Sequence, residues 1–192
     1  YCLDKELNDP RVFSNYGIIL KRMGKLKEAE EIYRDLVTKG SQNYIVYGNL
    51  AAICIVKGDK RQGINLLKNT LKLKPDYPDA HYNLGVTLQE QDDLDAAISS
   101  YQQAIKFKPI YPEAYNNKGN ALKEKGEHQL AAACHEKAIK LNPNYFISWF
   151  KLGTAFNNFK KPIDAINAYE KALEICPIHD ESLNYFGSIH HY

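Results

Sequence analysis

The chain has 192 residues, with 25 basic and 23 acidic side chains for a formal net charge of +2, and only four arginines, Arg11, Arg22, Arg34 and Arg61. A near-neutral, arginine-poor balance argues against nucleic acid as a partner, because surfaces that track phosphates are basic stripes rich in Arg as well as Lys. The longest uninterrupted apolar run, Leu50 to Val56, falls far short of the roughly 20 residues that span a bilayer, so no membrane insertion is expected.

Taken in chain order, Tyr1 to Leu7 reads as the tail of a second helix whose partner is missing. From there on, the same residue types return every 34 positions. Gly17, Gly85, Gly119, Gly153 and Gly187 share one slot, broken only by Ala51. Ala29, Gly63, Ala97, Ala131 and Ala165 keep a second slot small, and Pro75, Pro109, Pro143 and Pro177 close four successive units. A period of this length marks stacked helical hairpins, in which each unit buries its apolar face against near neighbours. Two helices of 12 to 14 residues, each rising about 20 Å, and a short turn fill one unit.

Five full units follow, 10–43, 44–77, 78–111, 112–145 and 146–179, within a single array over 1–192. Gly24 and Gly58 mark the turns inside the first two hairpins, where a helix end favours positive φ. In the third, a first helix is predicted near Asp79 to Glu90 and a second near Leu94 to Phe107, since His81, Leu84, Leu88 and Ala97, Ile98, Tyr101, Ala104, Ile105 recur at helical spacing. Gly85 and Ala97 are expected to be small because the paired helices approach closely there. Gly126 marks the fourth turn, and Pro162 opens the second helix of the fifth unit, where its missing donor costs nothing. Asp180 to Tyr192 reads as a lone first helix of a sixth unit. Both ends fall inside a repeat, so a longer parent array is expected. The apolar stripe Leu183, Phe186 and Ile189 predicts fraying or end-to-end self-association.

Cys2, Cys54, Cys134 and Cys176 have no paired spacing and fall in or beside apolar helical slots, as small buried hydrophobes in a reducing, cytoplasmic setting would. Cys176 with His179, Cys134 with His135, and His190 with His191 do not complete a metal site. His135 and Glu136 begin like a zinc-protease helix, but Ile139 stands where the second histidine is needed. His135 instead replaces the tyrosines at Tyr33, Tyr101 and Tyr169. No phosphate loop, nucleophile elbow or dinucleotide fingerprint is present. Asp92, Asp93 and Asp95 cluster at a turn and helix start, where they cap the following helix. No cofactor and no catalysis within these residues are expected.

The recurring residues resemble the tetratricopeptide repeat, TPR, a helix, a tight turn, a second helix and a closing proline. Pro78 to Tyr111 carries the pattern with Leu84-Gly85, Ala97, Tyr101, Ala104 and Pro109; 112–145 agrees, and 146–179 opens with Trp149, Leu152-Gly153 and Phe156. The first two units are looser, with Ser41 in place of a proline and Gly63 and Thr70 in place of alanines. Lys118 occupies a slot that is apolar elsewhere, and His81 and His135 fill aromatic slots. The resemblance implies an all-α TPR solenoid, a right-handed superhelix of antiparallel helix pairs.

A further series, Asn15, Asn49, Asn83 and Asn117, continued by Lys151 and Tyr185, stands one residue before the apolar slot that precedes the glycine. Asn is a mediocre helix former, and core packing does not call for an amide there. In the TPR family this slot faces the concave groove, and here it resembles the asparagine ladder of O-linked N-acetylglucosamine transferase superhelices, which holds an extended peptide by its backbone. An amide both donates and accepts, so it can hold a peptide bond whatever the flanking side chains. TPR units also use such an asparagine to bond neighbouring helices, and both roles stand at this point. The family register adds Arg11, Ser14, Ile18 and Arg22 in the first unit, Tyr82, Val86, Gln89 and Glu90 in the third, Asn116, Asn120, Lys123 and Glu124 in the fourth, and Phe150, Thr154 and Asn157 in the fifth. Lys151 alone does not build the carboxylate clamp of chaperone adaptors. The resemblance implies a scaffold that binds a protein or peptide. The alternative is a recognition arm of a larger enzyme, of glycosyltransferase or sulfotransferase type, whose catalytic domain lies outside these residues.

Overall fold

The computed structural model describes residues 10–177, with side chains from Val12 onward. Tyr1 to Leu7, Cys2, the side chain of Arg11, His179 and the whole segment 180–192, with Leu183, Tyr185, Phe186, Gly187, Ile189, His190 and His191, lie outside the described residues. Among the described residues there are ten α-helices and no strand. They are α1 Pro10–Arg22, α2 Leu26–Thr38, α3 Tyr44–Val56, α4 Lys60–Leu73, α5 Pro78–Gln89, α6 Leu94–Phe107, α7 Pro112–Glu124, α8 His128–Leu141, α9 Phe146–Asn158 and α10 Pro162–Ile175. The chain is an all-α solenoid of helical hairpins. Its helices group into two compact units, one ending at Gln91 and the other beginning at Asp92. In the first, α1 packs on α2, α2 on α3, α3 on α4 and α4 on α5; in the second, the same succession runs from α6 to α10.

Turn chemistry sets the hairpins. Gly24, Gly58 and Gly126 take φ of +76°, +90° and +86°, a backbone region that costs a glycine nothing. In the other two hairpin turns Asp92 (φ 63°) and Lys160 (φ 56°) adopt it without a glycine, which a search for glycines alone overlooks. Two of the second helices, α4 and α6, begin on side-chain caps: Asp59 Oδ1 accepts from the Gln62 amide at 3.0 Å and Asp93 Oδ1 from the Ala96 amide at 3.3 Å. Each satisfies an orphan donor of the first turn.

The glycine slot is small for a reason that differs from simple helix approach. A Cβ on Gly17 would stand 2.6 Å from Cζ of Tyr33, and one on Gly153 would stand 2.7 Å from Cε1 of Tyr169. The ring of the second helix therefore lies across the glycine of the first, and both tyrosines are fully buried. Burial of a ring this size stabilises by about 1.5 to 3 kcal/mol. In the second hairpin the two slots read Ala51 and Leu67, both buried, so the chain carries a methyl on one side only where the ring is missing on the other. Gly63, in the slot that is alanine elsewhere, receives Ile55, whose Cγ1 lies 2.5 Å from where a Cβ would be. Thr70, fully buried, bonds its hydroxyl to the Leu66 carbonyl at 2.9 Å.

The histidine in the aromatic slot at His81 has a local task. Its Nε2 lies 2.8 Å from the Pro75 carbonyl oxygen, and Trp149, in the same slot of the fifth repeat, donates its indole N–H to the Pro143 carbonyl at 2.8 Å. A carbonyl only accepts, so Nε2 of His81 carries the proton. Each ring thereby ties a first helix to the carbonyl of the proline that closes the preceding unit.

Candidate functional site

The asparagine series falls on the first helices of the hairpins. In the first compact unit, which ends at Gln91, Asn15 on α1 is exposed, Asn49 on α3 is half-buried and Asn83 on α5 is exposed. Asn49 and Asn83 line one cavity of about 240 Å³ together with Lys21, Ile45, Tyr77 and Asp79. Lys21 Nζ donates to Asn49 Oδ1 at 3.3 Å, which aims the amide N–H groups of Asn49 away from the lysine. The cavity thus joins two amides, a cation and a carboxylate on a partly apolar floor. Tyr77 stacks edge-on against Tyr44, with centroids 5.2 Å apart and planes at 73°. Burial, and then the Asp79 carboxylate, push its phenol pKa up, so it stays a neutral hydroxyl near neutral pH.

In the second compact unit, which begins at Asp92, the series is held by a relay. Ser148 Oγ donates to Asn116 Oδ1 at 3.1 Å, and Asn116 Nδ2 donates to Asn117 Oδ1 at 3.3 Å. Asn117, Asn120, Lys151 and Asn157 are half-buried, and Lys151 Nζ stands 5.3 Å from the Phe150 ring centroid. Asn116 and Phe150 are 2% and 4% exposed, inside the helix seam. Their slot also contains Ser14, 2% exposed, and the half-buried Tyr82. Asn117 and Lys151 follow these seam residues by one position, a rotation of about 100° around the helix, and so lie nearer the surface.

The other slots that the family register assigns to the groove are graded. Ile18, Val86, Gln89 and Thr154 are half-buried, whereas Arg22, Glu90, Lys123 and Glu124 are exposed. Register did not single out Lys21, Ile45, Tyr77 or Asp79. Lys21 shares its slot with Gln89, Lys123 and Asn157, and that shared slot was the available signal.

A buried acid fixes α2 against the hairpin that carries Asn49. Glu30 on α2, 8% exposed, receives Lys57 Nζ at 2.7 Å and Arg34 Nη2 at 2.8 Å. Arg34 continues to Gln62 Oε1 at 2.8 Å, which also accepts from Cys54 Sγ at 3.1 Å. The hydrogen bond from Lys57 holds the Glu30 carboxyl below its ordinary pKa against the opposing cost of burial. Cys54 is buried and its thiol is pushed up by that burial. Cys54, Cys134 and Cys176 are all free thiols. No group of His, Cys, Asp and Glu among the described residues is arranged to hold a metal ion, and no helix there is long and apolar enough to cross a membrane.

Comparison with known proteins agrees with this architecture. The tetratricopeptide repeat family matches residues 10–38, 112–145 and 147–179, and the TPR repeat family matches 57–92 and 90–126. No curated protein matches the chain. Among solved structures, a crystal structure of MamA superposes with a TM-score of 0.78 at 26% identity, covering 83% of this chain and 93% of that one. MamA from Desulfovibrio magneticus RS-1 gives a TM-score of 0.81 at 18% identity, covering 90% and 98%. YrrB, a TPR protein with an unusual peptide-binding site, gives 0.81 at 18% identity, covering 95% and 94%. With its hairpins, its slots and these matches together, the chain belongs to the tetratricopeptide repeat family.

Proposed function

We propose that this protein is a peptide-binding scaffold that holds an extended partner segment along the face made by its first helices, without catalysis of its own. The observation that carries the reading is the convergence of Asn49 and Asn83 on one cavity with Lys21 and Asp79. An extended peptide presents alternating N–H and C=O groups, and paired amides can answer both. The cation and the carboxylate beside them add a preference for a partner whose own charges are of mixed sign. In the second compact unit Asn117, Asn120, Lys151 and Asn157 are the groove-facing groups of this reading, supported from beneath by Asn116 and Phe150. The solved structures at 18% identity speak for the fold, so the peptide role rests on the site.

A display library of nonapeptides tests the reading. Selection on the wild-type chain should enrich a set of sequences that bind Asn49→Ala/Asn83→Ala at least about fivefold more weakly while the variant keeps its melting temperature. Equal binding of those peptides by the double variant, or enrichment of none by the wild type, overturns it.

A further inference from the structure

The departure at Lys118 belongs to a different place. In three sister repeats its slot holds Leu50, Leu84 and Leu152, only 2%, 8% and 5% exposed. Lys118 on α7 is half-buried and lines a cavity of about 300 Å³ between α6, α7 and α8, at the lower end of the range for small-ligand sites. Helix packing alone favours leucine here, since a half-buried ammonium gives up hydration. Ile98, Leu122 and Leu130 supply the apolar wall of the cavity, and Lys137 is a second cation on it. A third, Lys125, is already engaged by Asp95 at 2.6 Å and Glu127 at 3.1 Å. Three lysines against two carboxylates leave the lining with one net positive charge. Among the described residues neither Lys118 nor Lys137 has an ion-pair partner.

We propose that this cavity binds one carboxylate carried on an apolar chain, the carboxylate meeting Lys118 and Lys137 and the chain lying on Ile98, Leu122 and Leu130. A single negative charge balances the lining, whereas a phosphate dianion would overshoot it beside Asp95 and Glu127. The site is independent of the asparagine face and stands whether or not that face holds peptides. Two sources offer this chemistry: a free aliphatic acid, or the C-terminus of a partner chain that ends in an apolar residue.

Methyl NMR on the whole chain separates them with four probes: octanoate, 1-octanol, a pentapeptide ending in leucine with a free carboxylate, and the same peptide amidated. Saturable shifts of the Leu122 and Leu130 methyl signals are expected with at least one of the acids. The matching neutral probe should bind at least about tenfold more weakly, as loss of a charge-assisted contact implies. Response to octanoate alone identifies a free acid, and response to the peptide acid identifies a chain end. Lys118→Leu restores the residue of the sister repeats, so it should fold at least as well and bind neither acid; Lys137→Gln, at an exposed side chain, should weaken the same signal. Failure of both acids, equal binding of the neutral probes, or unchanged binding in Lys118→Leu overturns the proposal.

Discussion

A Cβ placed on Gly119 would stand 2.8 Å from Cε1 of His135 and 3.1 Å from the Ala131 carbonyl oxygen. His135 therefore sits where Tyr33 sits over Gly17 and Tyr169 over Gly153, and it is 1% exposed with no hydrogen-bond partner for Nδ1. Burial lowers its pKa from 6.5 to about 4, and Lys151 and then Lys123 press in the same direction. The imidazole is neutral in the folded chain, so only the unfolded chain takes up its proton as pH falls from about 6.5 to about 4. Stability should decline across that window, by on the order of 3 kcal/mol at its lower end, and the penalty should stop growing once both states are protonated. His135→Tyr restores the ring of the sister repeats. Urea unfolding of both proteins between pH 4 and 7 should show this acid-side loss in the wild type and its absence in the variant; parallel pH profiles would refute the assignment.

The pairing of Ala51 with Leu67 makes a coupling prediction. Leu67→Tyr alone places a ring against the Ala51 methyl, and overpacking of that kind costs roughly 1 to 3 kcal/mol. Ala51→Gly alone loses a methyl in a helix interior, about 1 kcal/mol. Together they rebuild the glycine and tyrosine pair of the first and fifth repeats, so the double variant should be more stable than the sum of the two losses by at least about 1 kcal/mol. Additive losses in a double-mutant cycle would show that the two slots do not compensate.

Glu30 gives the acid-side test of the first unit. Glu30→Gln keeps the shape but leaves Lys57 and Arg34 without their carboxylate, at a cost of about 1.5 to 3 kcal/mol near neutral pH. Because the folded pKa lies below the ordinary value of 4.5, the wild type holds this advantage above about pH 4.5 and loses it as pH falls further. Denaturant midpoints for the two proteins should converge in acid, and a gap that is unchanged at pH 3 would remove the carboxylate as its cause.

Much of the fold was legible because each helix meets its neighbours through slots that repeat with the chain. The helices expected near Asp79 to Glu90 and Leu94 to Phe107 lie at Pro78–Gln89 and Leu94–Phe107, and glycine turns stand at Gly24, Gly58 and Gly126. The turns at Asp92 and Lys160 were hidden because their backbone conformation, not their residue type, repeats. Asn116 and Phe150 illustrate the limit at the site. A 34-residue register finds equivalent positions, but one step along a helix turns a side chain from surface to seam. Convergence of Asn49 with Asn83, and the part of Lys21 and Asp79, depend on how neighbouring helices face each other, which periodicity does not encode.

The asparagine series separates binding from scaffolding most sharply at Asn49 and Asn83. Both sit on helices, where alanine is the better former, and Asn83 is exposed. Asn49 accepts from Lys21 at 3.3 Å, and loss of that partly exposed bond costs at most about 1 kcal/mol. Asn49→Ala/Asn83→Ala should therefore melt within a few degrees of the wild type. If the two amides hold a peptide backbone, each should contribute about 0.5 to 1.5 kcal/mol to binding, so a selected peptide should bind the double variant roughly 5- to 150-fold more weakly by calorimetry. A scaffold role reverses the order, with the melting temperature falling first and affinity following it. Lys21→Met provides the control: it frees Asn49 Oδ1 without removing either amide, so it should alter peptide charge preference and leave backbone-held peptides bound. Loss of all binding in Lys21→Met with binding retained in the double alanine variant would assign the site to the lysine and retire the amide ladder.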